Sequence, residues 1–283
     1  MMKSLRAYKD NGKKIVEYMD ELNDLYDIKD NKPLGLKLGV DAIDEAIGVL
    51  KNKELMVLGG APSAGKSLIA TNIMANLIQK GKNVIYVSLE MGFSAVFERL
   101  ATIIELIDTD YFNGKIENKN SVNSFRNRLT DFAIKMSENK HWQILGMDEF
   151  ESPTAENILA TCKALAKHLK WNKIDLIIID YLQYIPSKQG RTEYEGTNDA
   201  VQEIKTFVVT EKVPILALSS LSSEGNLKGS TSIKFTCDFA VMVNPIENSN
   251  DRCIAVVKNR RGSYTRKKIE YSPHLKIIEK GDM

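Results

Sequence analysis

The stretch "GGAPSAGKS" (59–67) lies between the apolar run "LMVLG" (55–59) and "LIATNIMANLIQK" (68–80). Within it, Gly60, Ala61, Pro62, Ser63, Ala64, Gly65, Lys66 and Ser67 fit G-x-x-x-x-G-K-[ST] without a mismatch. Glycines let backbone N–H groups curl around phosphate oxygens, a lysine neutralises the β/γ charge, and the hydroxyl that follows ligates Mg²⁺. The short pattern also arises by chance. The strand before it and the helix after it are what turn it into a nucleotide-binding expectation, with ATP and Mg²⁺ as cofactors.

Working outward, short apolar runs alternate with helical patterns. "ELMVLGG" (54–60), "NVIYVSLE" (83–90), "WQILGM" (142–147), "KIDLIIIDYLQYI" (173–185) and "VPILALSS" (213–220) read as strands, with helices near 66–80, 92–107, 154–170 and 196–212. Near-continuous apolar strands separated by helices predict an α/β fold whose parallel sheet is covered on both faces. The tail differs. "FAVMVNP" (239–245), "CIAVVKNRRG" (253–262) and "RKKIEYSP" (266–273) read as a strand run, antiparallel, closing one edge of the sheet.

Ahead of the body, Ile15, Met19, Leu22 and Tyr26 recur at helical spacing, which predicts an amphipathic helix over 3–29. "DNKPLG" (30–35) breaks it, so the chain divides into an arm (1–32) and a body (33–283).

Composition narrows the function classes. A net charge of +2 over 283 residues excludes a strongly basic body, so any nucleic-acid contact must come from local patches. Three widely spaced cysteines, Cys162, Cys237 and Cys253, form neither a disulfide framework nor a zinc knuckle and read as buried thiols. The N-terminus lacks the apolar core of a signal peptide, and no run reaches the roughly 20 apolar residues of a membrane span. A cytoplasmic protein without membrane contact is expected.

A phosphate site also needs a carboxylate near the metal. In "LIIID" (176–180), four apolar residues end in Asp180, a strand-end acid suited to that role. Hydrolysis further requires a group that orients or deprotonates water. Glu90 ends "NVIYVSLE", and a carboxylate there either faces the crevice at the strand ends or serves as the acid at the next helix's N-terminus.

Together, "APSAGKS" (61–67), "SLEM" (88–91) followed by Arg99, and "IIIDYLQ" (177–183) resemble the ATPase domain of DnaB-type replicative helicases, the hexameric RecA-like family. The similarity runs from "LKLGVDAIDEAI" (36–47) to the C-terminus. It implies a RecA-like P-loop fold, with Lys66 and Ser67 at phosphate and metal, Asp180 as the metal carboxylate and Glu90 as the base for water. Arg99 matches a family arginine near the nucleotide base; the plain alternative is a surface helix arginine.

Further on, "NLKGSTSIKFTCDFAVMV" (226–243) resembles the family's loop-then-strand segment, which lines the central channel and touches single-stranded DNA. Lys228, Gly229 and Lys234 are its candidate contacts, and Lys188 and Arg191, after "YLQYIP", form a second set. "VVKNRRG" (256–262) matches a Lys-x-Arg pair that reaches the neighbouring subunit's γ-phosphate. Period-2 alternation puts Lys258 and Arg260 on one face and turns Arg261 the other way, as a surface or DNA-facing charge.

The resemblance further implies a homo-oligomer, a hexameric ring on single-stranded DNA, and replication partners such as a primase or loader. The arm matches a helix that docks on the adjacent subunit. The 283 residues depart from the family in two places. No counterpart of its N-terminal helical domain is found, which suggests a minimal phage or mobile-element version. Ser220 stands where a glutamine usually senses the γ-phosphate, and it lacks the amide to bridge that gap. The expected function is an ATP-dependent helicase or translocase. The alternative is a non-unwinding RecA-like ATPase acting as a DNA-binding, recombination or helicase-modulating assembly factor.

Overall fold

The computed structural model describes residues 26–27, 32–33, 35–187, 192–221, 230–272 and 274–282. Eleven strands and eight α-helices occur among them. A two-residue pair, β1 (Tyr26–Asp27) and β2 (Lys32–Pro33), precedes the body and is antiparallel. The expected helix over 3–29 therefore does not include Tyr26 and Asp27, which are extended. The rest of the arm lies outside the described residues.

The body is organised on nine strands: β3 (Leu55–Gly60), β4 (Val84–Ser88), β5 (Trp142–Gly146), β6 (Leu176–Asp180), β7 (Ile215–Ser220), β8 (Phe239–Pro245), β9 (Arg252–Asn259), β10 (Arg266–Tyr271) and β11 (Ile277–Asp282). Their order in the sheet is β11-β10-β9-β8-β3-β7-β6-β4-β5. The six strands from β8 to β5 are parallel, and β9, β10 and β11 close the edge antiparallel. This is the RecA-like α/β architecture.

Every residue of β3, β4 and β6 is buried, as befits strands covered on both faces. Alternate residues feed two cores. Met56, Leu58, Tyr86 and Ile178 pack under α1 (Asp41–Ile47), α2 (Lys66–Gln79), α3 (Phe93–Glu105) and α5 (Lys119–Glu138). Val57, Ile85, Ile177 and Ile179 pack under α6 (Ala155–His168) and α7 (Glu193–Glu211). A short α4 (Thr109–Phe112) and α8 (Ser230–Thr236) complete the set. None of the described helices is long and apolar enough to cross a membrane. All three cysteines are buried and unpaired.

One expectation for the tail holds and one changes. β8, β9 and β10 pair antiparallel in succession, as expected, and β8 also joins the parallel sheet through β3, because α8 supplies a crossover ahead of it. Consequently the segment expected to be a loop before β8 is helical from Ser230 to Thr236. Another helix, α5, reads as polar on average, but Phe125, Leu129, Phe132 and Met136 recur at helical spacing. Its Phe132 ring lies 5.2 Å from Phe97, and Trp142 Nε1 donates to Met136 O at 2.9 Å.

Candidate nucleotide site

The loop 60–67 joins the end of β3 to the first turn of α2. Gly65, at φ +99°, adopts the left-handed conformation that glycine tolerates best, and a Cβ there would meet the Tyr271 hydroxyl at 2.4 Å. Gly60 is equally confined, because a Cβ would meet Val243 O at 2.7 Å. Neither glycine of the motif could carry a side chain without displacing a neighbour. Lys66 folds back over the loop, its Nζ donating to Gly60 O at 2.9 Å and Ala61 O at 3.0 Å.

Asp180 ends β6 and is 1% exposed. Its Oδ2 accepts a 2.6 Å hydrogen bond from the Tyr86 hydroxyl, while Oδ1 is buried with no hydrogen-bond partner. Burial raises the Asp180 pKa; the Tyr86 and Ser67 hydroxyls, Arg99 and Lys66 oppose that shift. Burial likewise lowers the Lys66 pKa, against the pull of Asp180 and Glu90. The two groups are thus mutual counter-charges at the cleft. Glu90, two residues beyond β4, is exposed and lines the same cleft.

That cleft holds about 550 Å³ and is lined by Ser63, Gly65, Lys66, Ser67, Glu90, Arg99, Tyr181, Ser220 and Leu275, among others. Arg99, on α3, contributes charge to both Asp180 and Tyr86, and its buried Nη1 has no hydrogen-bond partner. The structure therefore places Arg99 toward the carboxylate end of the cleft.

Two residues around the cleft carry no sequence motif. Leu275 lines it from the turn after β10, and Tyr271 of β10 backs the phosphate loop, its hydroxyl donating to Gly65 O at 3.3 Å. The turn is pinned to α2 by Asn72, whose Nδ2 donates to Leu275 O at 2.9 Å and whose Oδ1 accepts from Ile277 N at 3.3 Å. Asn72, on the buried face of this helix, was the available signal, since a buried amide needs partners. Gln183, in a 3-10 turn after β6, reaches β7: its Nε2 donates to Ser219 Oγ at 2.9 Å, and its Oε1 accepts from Ser220 N at 3.1 Å.

The basic pair lies elsewhere. Lys258 pairs with Ala240 at the start of β8, whereas Gly60 pairs with Val243 nearer its end. Arg260 N donates to Asp238 O, five residues before Val243, a separation of ~16 Å at about 3.3 Å per residue. Lys258 and Arg260 do converge on one place, the carbonyl end of α8. Lys258 Nζ donates to the carbonyls of Lys234, Phe235 and Cys237, and Arg260 Nη2 donates to Phe235 O at 3.2 Å. Arg260 Nη1 also lies 3.3 Å from Asp238 Oδ1.

Arg261 points the other way but is not a free surface charge. Its Nη2 bonds Val49 O at 2.6 Å and Glu54 Oε2 at 3.0 Å, and its guanidinium sits 4.8 Å over the Phe239 ring. Arg261 is exposed, as expected of a surface charge, while its guanidinium packs against Phe239 and pairs with Glu54 at the base of the sheet. Of the candidate DNA contacts, Lys188, Arg191, Lys228 and Gly229 lie outside the described residues. Lys234 is on α8.

Comparison with known proteins agrees with this architecture. Residues 35–280 match the family model described as "DnaB-like helicase C terminal domain". A "Probable plasmid replicative DNA helicase" of Chlamydia muridarum is 25% identical over 251 residues, covering 84% of this chain and 53% of the relative. A "Replicative DNA helicase DnaB" of Leifsonia xyli is 24% identical over 257 residues, covering 83% and 53%. A solved DnaB-like replicative helicase, described with its interactions with primase, superposes with a TM-score of 0.76 at 17% identity, covering 93% of this chain and 66% of that one. The chain spans about half the length of the curated relatives it matches.

Proposed function

Since the chain belongs to the DnaB-like helicase C-terminal domain family, we propose that it is the motor of an ATP-dependent DNA helicase or translocase. In this reading, copies form a hexameric ring on single-stranded DNA and share each nucleotide site. The observation that carries it is the placement of the basic pair. Along the sheet, Arg260 sits ~16 Å and Lys258 ~10 Å from their own phosphate loop, and both side chains turn to the far end of α8. They are too far to serve it, yet they present two cations together, as a neighbour's phosphate would require. A head-to-tail interface between identical subunits closes into a ring and joins one pole of each to the other pole of the next.

The cleft residues fit Mg²⁺. Asp180 Oδ1 is a buried oxygen without a partner, the Ser67 hydroxyl acts on the same carboxylate, and Mg²⁺ characteristically combines one carboxylate with substrate phosphates. When bound, the ion would neutralise charge on the phosphates. The remaining work falls to this chain. Backbone N–H groups of 60–67 cradle the phosphates, and Lys66 exchanges its loop carbonyls for phosphate oxygens. Glu90, exposed at the cleft, takes the proton of the attacking water. Lys258 and Arg260 of the adjacent copy stabilise the charge that develops on transfer. The arm would dock on that same neighbour, and Lys228, Gly229, Lys234, Lys188 and Arg191 would contact DNA.

Ser220 favours a second reading, a RecA-like assembly factor whose hydrolysis acts as a timer without unwinding. Its side chain has no amide to follow the γ-phosphate. Forked DNA and ATP separate the two. Strand separation together with DNA-stimulated turnover supports the motor, and stimulated turnover without strand separation supports the assembly factor. Addition of a primase or loader to the same assay tests those partners.

A further inference from the structure

The sheet parts at one place beside the cleft. β3 and β7 remain paired to Gly60 and Ser220, and β4 and β6 remain paired to Ser88 and Asp180. Between β6 and β7, however, the ladder stops at Ile179 and Ala217. The last residues of both strands, which carry Asp180 and Ser220, therefore have no backbone rung between them. Gln183 spans this gap. Its amide accepts from the Ser220 N–H and donates to the Ser219 hydroxyl, and that hydroxyl donates on to Ser220 O at 3.2 Å.

A primary amide has one donor side and one acceptor side, the same pair that a peptide group offers a neighbouring strand. Gln183 thus continues the ladder by side chain where the main chain leaves off. Ser219 is fully buried, so its hydroxyl has few alternative partners. Tyr181 and Ser220, on either side of the link, both line the cleft.

We propose that Gln183 is a positioning residue for phosphoryl transfer, supplying from the β6 side the amide that position 220 lacks. It fixes the spacing between the Asp180–Tyr181 turn and the end of β7. Ser220 is then placed against the phosphate loop through its backbone rather than through its own side chain. A displacement of the Asp180 turn by the terminal phosphate reaches the end of β7 through this amide, beyond the last backbone rung at Ile179 and Ala217. The proposal rests on the reading of the cleft as an ATP-hydrolysing site.

The test is Gln183→Leu, similar in size but unable to bridge, with Ser219→Ala as a milder variant that removes only one leg. Two readouts are taken: steady-state turnover of Mg–ATP, and the thermal shift given by Mg–ADP and by a non-hydrolysable Mg–ATP analogue. Because misplacement of catalytic groups costs turnover rather than affinity, kcat should fall at least about tenfold in Gln183→Leu and severalfold in Ser219→Ala, with KM changed little. The ADP shift should persist, and the extra stabilisation from the terminal phosphate should be lost. In Gln183→Leu/Ser220→Gln the restored amide at 220 should recover much of both. Turnover and the triphosphate increment both unchanged in Gln183→Leu would overturn the proposal, as would an equal loss of the ADP shift. If Gln183→Leu fails to fold, the same criteria apply to Ser219→Ala. A parent protein with no turnover would count against the hydrolytic reading alone, because the triphosphate increment would still judge Gln183.

Discussion

Asp180→Asn should separate stability from activity. The wild-type carboxylate is 1% exposed, with Oδ2 bonded to Tyr86 and Oδ1 unpartnered. Its pKa is raised from the ordinary 3.8, so burial outweighs the help of Tyr86, Ser67, Arg99 and Lys66. The folded protein therefore disfavours the charge. An amide removes that charge, keeps an acceptor for Tyr86 and fits the same space. Relief of a buried, unsatisfied charged oxygen is worth about 1–3 kcal/mol, and reducing a charge-assisted hydrogen bond to a neutral one gives back about 1 kcal/mol. The net is about 0–2 kcal/mol in favour of Asp180→Asn, a rise in Tm of up to about 8 °C for a domain of this size.

The pH dependence has a fixed sign. A carboxyl whose folded pKa is raised gains stability for the wild type as pH falls through that pKa toward 3.8, and nothing further below it. The Tm gap between Asp180→Asn and wild type should therefore be largest near neutrality and narrow on acidification. Calorimetry of the nucleotide-free proteins across pH reads this directly, alongside Mg–ATP turnover, which should fall by at least about a hundredfold if Asp180 is the metal carboxylate. A neutral-pH Tm clearly below wild type would refute the reasoning, since the carboxylate would then be a net stabiliser.

Other outcomes follow from the same geometry. Glu90→Gln should bind Mg–ATP with near wild-type affinity and turn it over at least about a hundredfold more slowly; unimpaired turnover removes Glu90 from the mechanism. Arg261→Ala loses a partly exposed ion pair and a cation–π contact, and should cost about 1–2 kcal/mol of stability while leaving single-stranded DNA affinity unchanged. A large drop in DNA affinity with unchanged Tm would instead make Arg261 a DNA contact.

The parts of the fold that were legible in the sequence are those that local pattern dictates. "LMVLGG" and "LIIID" are apolar almost throughout because both faces of their strands are covered. The glycines at 60 and 65 announce a loop that no side chain could occupy. Alternation placed Lys258 and Arg260 together, and they do meet at the end of α8. What stayed hidden depends on which strands become neighbours. Leu275 forms part of a cleft wall only because β10 and β11 fold back beside α2, held by the Asn72 amide and by the Tyr271 hydroxyl on Gly65 O. The parallel pairing of β8 was obscured because the crossover, α8, is only seven residues long. Arg261 is exposed as alternation suggested, but its partners Glu54 and Phe239 are remote in sequence and meet it only in the folded sheet.

Mixing two inactive variants tests the shared site most directly. Lys66→Ala lacks the phosphate lysine, and Arg260→Ala lacks the distal cation. If each site takes its loop from one copy and its Arg260 from the next, co-assembly rebuilds complete sites. Random one-to-one mixing should then restore up to about a quarter of wild-type ATPase activity, because roughly one interface in four pairs an intact loop with an intact Arg260. Mixed rings of confirmed mass that remain as inactive as either variant alone would contradict the account.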